Sequence, residues 1–66
     1  MDLNALKSKM KDSGMSMTFI AKKLDISRAS LYKKLDGTSE FRISEVISIC
    51  DALHLTKEER NSIFFN

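Results

Sequence analysis

The side chains best suited to chemistry with a partner lie in one short stretch: Arg28, Ala29, Ser30, Tyr32 and Lys33. Hydroxyls and cations there donate hydrogen bonds, and a bare methyl offers apolar contact. Leu31 and Leu35 sit among them at helical spacing and turn the other way. The stretch is therefore a helix with one apolar side and one short, polar, cationic side, a shape and chemistry that suit the major groove of duplex DNA. Any amphipathic helix has a solvated face of some kind, so the surrounding elements must decide what this one does.

The chain has 66 residues and reads as one domain. A chain of that size buries only about 60% of its unfolded surface, so the core is small. Hydrophobic residues make up 42% and charged residues 30%, a globular composition rather than a disordered one. No apolar run is long enough for a membrane span or a secretory signal, so neither is expected. Cys50 is the one cysteine and cannot form an internal disulfide, which fits a reducing, cytoplasmic setting. The net charge of +2 is unevenly spread. Residues 1–21 carry +1, residues 22–42 carry +3 and residues 43–66 carry −2. The basic excess centres on the stretch described above, as a face that docks on an acidic partner requires.

Five helices are expected. Asp2 can cap the first, which runs to about residue 13 with Leu3, Leu6 and Met10 inward and Gly14 as its stop. Ser16 can cap a second over about 17–24, with Ile20, Ala21 and Leu24 inward. Asp25-Ile26-Ser27 is a tight turn, Asp25 tolerating a left-handed backbone and Ser27 capping a third helix over about 28–35. Gly37 ends it, and Phe41 is expected to anchor the polar loop that follows. Ile43, Val46, Ile47, Cys50 and Leu53 share a helical stripe, read as the buried face of a central helix over about 43–54. Thr56 and Glu59 form a capping box before a last helix over about 57–64.

With the first helix, Ser16, Ala21, Asp25, Ile26, Ser27, Ser30, Leu31 and Gly37 at these spacings, the chain resembles the lambda-repressor-like, Cro/C1-type helix-turn-helix domains. The segment SRASLYKKLDGTSEFRISEV followed by LTKEERNSIFF looks especially like small repressor-like proteins of phages and prophages of Gram-positive bacteria. The resemblance covers about residues 3–64. It implies an all-α, compact bundle of five short helices with a central helix-turn-helix, regulation of transcription, and a weak homodimer on a pseudo-palindromic operator. It implies base contacts by Ser27, Arg28, Ala29, Ser30, Tyr32 and Lys33. Arg28 or Lys33 can donate to guanine, Ala29 can meet a thymine methyl, and Tyr32 can reach phosphate or stack along the sugar edge. Phosphate contacts are expected from Lys9, Ser16, the backbone at Met17, Lys22, Lys34, Thr38 and Arg42. Three positions depart from the family pattern. Met17 stands where many members carry Gln, Asp25 where Gly is common, and Lys34 where an apolar residue is common.

Phe19, Phe64 and Phe65 remain. Phe19 either folds onto the first helix or the loop, or meets a partner. Of the adjacent Phe64 and Phe65 only one can point inward, and the other can build a dimer or partner surface. Cys50 and His54 are two ligands at most, too few for zinc; Cys50 reads as core and His54 as a helix-end residue. With no glycine-rich phosphate loop and a single histidine, no enzyme, cofactor, metal or small-molecule substrate is expected. The competing class is a protein-interaction module that binds another phage regulator and has weak DNA binding of its own.

Overall fold

In the computed structural model, residues 1–65 are described, and they form five α-helices in sequence: α1 Leu3–Ser13, α2 Met17–Leu24, α3 Arg28–Leu35, α4 Ile43–Leu53 and α5 Lys57–Phe64. Four of them open on a side chain that satisfies an otherwise orphaned amide. Asp2 accepts from the Ala5 N–H at 3.0 Å, Ser16 from Phe19 at 3.1 Å, Ser27 from Ser30 at 3.0 Å and Thr56 from Glu59 at 3.1 Å. At the last of these Glu59 returns the bond to the Thr56 N–H at 2.9 Å, completing the expected box. The fifth helix, α4, is capped from the other side only: the Arg42 N–H donates to the Glu45 carboxylate at 2.7 Å.

The helix ends are equally local. Gly14 takes φ 72°, Asp25 φ 58° and His54 φ 53°, each closing a helix in the left-handed region. Asp25 is thus the pivot of the α2–α3 turn, and Ile26 packs into the corner with its N–H bonded to the Ala21 carbonyl at 3.0 Å.

Leu6, Ile20, Leu31 and Ile49, one each from α1 to α4, are the large side chains at the centre, fully sealed from solvent. α2 packs on α3 and α4, and α1 packs on α4 and α5. Ile63 and Phe64 close the base from α5. Phe64 meets Phe41 edge to face at 6.2 Å, so the α3–α4 loop is anchored as expected. The ends of the chain are joined by the Asp2 N–H, which donates to the Ile63 carbonyl at 2.7 Å.

One face is corrected. Ile43 and Ile47, expected in the core, are 72% and 58% exposed, while Ile49 is fully buried beside Val46, Cys50 and Glu45. α4 is apolar over more than one face, so two stripes compete for the interior. The stripe with Glu45 at its edge faces inward, and there the carboxylate meets the buried Lys34 ammonium at 3.1 Å.

Candidate nucleic-acid interface

α3 stands on α2 with Leu31 and Leu35 buried, and this sets which residues turn outward. Ser27, Arg28, Ala29, Tyr32 and Lys33 are exposed and Ser30 is half-buried. The structure therefore brings all six candidate base-reading residues onto the free side or leading end of one helix. Three are already engaged there. The Ser27 hydroxyl caps α3 and also lies 3.0 Å from the Ser30 hydroxyl. The Arg28 guanidinium lies 3.4 Å from the Thr18 hydroxyl, which directs it toward α2. Ala29, Tyr32 and Lys33 present their side chains without such ties among the described residues.

Around this helix the expected phosphate contacts separate into two groups. Ser16 opens α2 and is exposed, with the Met17 N–H at the helix start, where no intrahelical acceptor exists. Positive helix-dipole charge collects at that end. Lys22, Thr38 and Arg42 are exposed. The Thr38 N–H donates to the Asp36 carboxylate at 2.9 Å, which orders the turn after α3. Hydrogen bonds from the Thr38 side chain and backbone hold the Asp36 carboxyl below its usual range, with Lys7 and Lys33 adding to the effect.

Lys34 and Lys9 are placed elsewhere. Lys34 is 8% exposed, its ammonium 3.1 Å from the Glu45 carboxylate and 3.0 Å from the Glu40 carbonyl. A cation held this way is an internal strut between α3 and α4 and cannot reach a phosphate. Desolvation raises the Glu45 pKa, but the Arg42 amide and the Lys34 ammonium outweigh it, and the group ends below its usual range. Lys9 points at α5, where its ammonium pairs with the Glu59 carboxylate. The side-chain hydrogen bond from Lys9 lowers the Glu59 pKa, and the same contact raises that of Lys9.

Two further cations lie beside this face. Lys7 and Lys11 border an open groove of about 480 Å³ that Tyr32, Met10, Met15 and Met17 also line. They stand beside the outer face of α3, where the Asp36 carboxylate lines the same groove and offsets one of the two charges. Their offset from the inward stripe of the first helix was the available signal, but it could not say which neighbour they would face.

The aromatic surface also resolves. Phe64 is core, so it leaves the partner surface; Phe65 is 63% exposed. Phe19 is 44% exposed, with the Lys23 ammonium 5.3 Å above its ring, and faces a shallow groove toward Ser48, Asp51 and Ala52 of α4 rather than α1. Cys50 is buried, which pushes its thiol pKa up, and His54 is the exposed cap of α4. No helix of the described residues is long and apolar enough to cross a membrane.

No curated protein and no solved structure matches the chain. A family model does: that of the Cro/C1-type HTH DNA-binding domain matches residues 5–59, from α1 through the α2–α3 unit into α5. The chain belongs to that family of helix-turn-helix DNA-binding domains.

Proposed function

We propose that the protein reads a specific duplex sequence by laying α3 in the major groove, and so regulates transcription as a Cro-like or repressor-like regulator of phage or prophage type. The observation that carries the reading is the outer face of α3. Ala29, Tyr32 and Lys33 stand exposed on a helix whose other side is locked to α2, with Lys7 and Lys11 beside Tyr32. Lys33 donates to a guanine edge and Ala29 packs on a thymine methyl. Ser16, the Met17 amide, Lys22, Thr38 and Arg42 meet phosphates and set the register. Two copies, weakly paired, occupy a pseudo-palindromic site with their recognition helices about 34 Å apart.

Fluorescence anisotropy tests this with duplexes from the region around the protein's own gene, at two salt concentrations. One fragment should bind in preference to random DNA, and its affinity should fall steeply with salt. Lys33→Ala should weaken that fragment by about 5- to 150-fold, corresponding to roughly 1–3 kcal/mol for a good base contact. Equal binding of every fragment and of random duplex would overturn the operator-reading role and direct attention to a protein partner.

A further inference from the structure

The groove between α1 and α3 carries an inference that the recognition helix alone does not. Its floor is Met10 and Leu35, both buried, and its walls are Met15, Met17 and Tyr32. Three of the chain's four methionines thus line one site of about 480 Å³. That volume lies in the range of small-ligand pockets, roughly 300–1,000 Å³. Unbranched, polarisable thioethers adapt to an irregular apolar body. The rim is charged. Lys7 and Lys11 stand one turn apart on α1, both exposed, and among the described residues neither enters an ion pair. Lys7 acts on the Asp36 carboxylate at the edge of the groove, so these two charges largely offset each other. Lys11, one turn further along α1, is left as the uncompensated cation.

We infer that this groove binds a small amphipathic anion, an apolar chain or ring system carrying one carboxylate. The methionines and Leu35 take the apolar body, and the Lys11 ammonium takes the carboxylate. Size argues against a folded partner. A standard protein interface engages roughly 20–30 residues a side, whereas only a handful line this groove. Charge argues for a single anionic group, because two cations and one carboxylate leave one charge to match. The groove is open on one side and its ion pair is exposed, so the Kd for decanoate is on the order of 0.1–1 mM. Tyr32 gives binding a consequence. Its ring walls the groove and also belongs to the outer face of α3. An occupant that fixes this ring and sets a negative charge beside that face opposes a duplex. Ligand and duplex then weaken one another by the same factor. That regulation rests on the DNA-binding reading; the site itself does not.

Methionine methyl resonances test it with the whole chain, isotope-labelled at those methyls and titrated with decanoate below its micelle concentration. Met10, Met15 and Met17 should shift and saturate, while Met1, outside the groove, should not. Tyr32 is the only tyrosine in a chain without tryptophan, so its fluorescence should follow the same curve. Octanoate, two methylenes shorter, should bind roughly 3- to 15-fold more weakly. Lys11→Gln should weaken decanoate about threefold to fivefold, and Lys57→Gln, on α5, should leave it unchanged. Decylammonium should bind more weakly than decanoate. Equal shifts at Met1, a titration that does not saturate, or decylammonium binding as tightly would each overturn the site. Saturating decanoate should lower the affinity for the preferred duplex by about 5- to 150-fold, and undiminished duplex binding would overturn the regulation. If the methionines shift but no duplex binds, the DNA reading fails and the site remains. If a duplex binds and the methionines do not respond to decanoate, the site fails and the DNA reading remains.

Discussion

At the scale of single residues, the pair Lys34–Glu45 shows most clearly what a side chain costs and what rescues it. An ammonium and a carboxylate both lie in the interior, 3.1 Å apart, and the remaining bonding capacity goes to the Glu40 carbonyl and the Arg42 amide. Removing one partner strands the other charge, so Lys34→Met should cost about 3–5 kcal/mol, enough to leave a small domain barely folded. Replacing both, as Lys34→Met with Glu45→Leu, removes the desolvation penalty along with the attraction and should recover most of that loss. Urea unfolding of the two single variants and the double variant checks it, and additive losses in the double would show that the two charges are not coupled. From the sequence, lysine in a basic stretch reads as a phosphate ligand. Its place where related domains carry an apolar residue was the clue to burial, but a buried charge needs a named partner, and Glu45 lies across a loop.

At the scale of elements, the caps were legible and the rotation of α4 was not. Ser16, Ser27 and Thr56 act within three residues of themselves, so local sequence contains the whole interaction. The same holds for Arg28, Ala29, Tyr32 and Lys33 on α3, whose outward placement follows from the inward Leu31 and Leu35. α4 differs because Val46 and Cys50 belong to both of its apolar stripes. The Glu45–Ile49 side turns inward against neighbours that lie outside the helix, on α1, α2 and, through Lys34, α3. The helix ends offer a separate test of local control. His54 holds φ 53° and Asp25 φ 58°, a region where a β-carbon is crowded and where aspartate suffers less than histidine. His54→Gly should raise stability by about 0.5–1 kcal/mol, the relief of strain exceeding the added freedom of the unfolded chain. Asp25→Gly should gain less. Thermal melts of the two variants read the order directly, and a His54→Gly protein that melts below its parent would contradict the account.

At the scale of the whole molecule, three carboxylates hold helices and a turn in place. Glu59 joins α5 to α1 through Lys9, Glu45 joins α4 to α3 through Lys34, and Asp36 orders the turn that leads away from the recognition helix. All three groups titrate below their ordinary values when the protein is folded. The folded state therefore binds fewer protons than the unfolded state in the acid range, and stability rises with pH there. Their contribution is fully present above the unfolded carboxylate range of about 4 to 4.5 and is lost as pH falls through the lower folded values. Glu45 should dominate, since its site is dry while the other two carboxylates face solvent that screens them. Urea midpoints should accordingly hold level from neutrality down to about pH 5 and then decline. In the Lys34→Met/Glu45→Leu protein the decline should be shallower, because the group with the largest stake in staying ionised is gone. An identical decline in both proteins would place the acid sensitivity on the surface carboxylates, and with it the task of holding α3 against α4 on the apolar contacts alone.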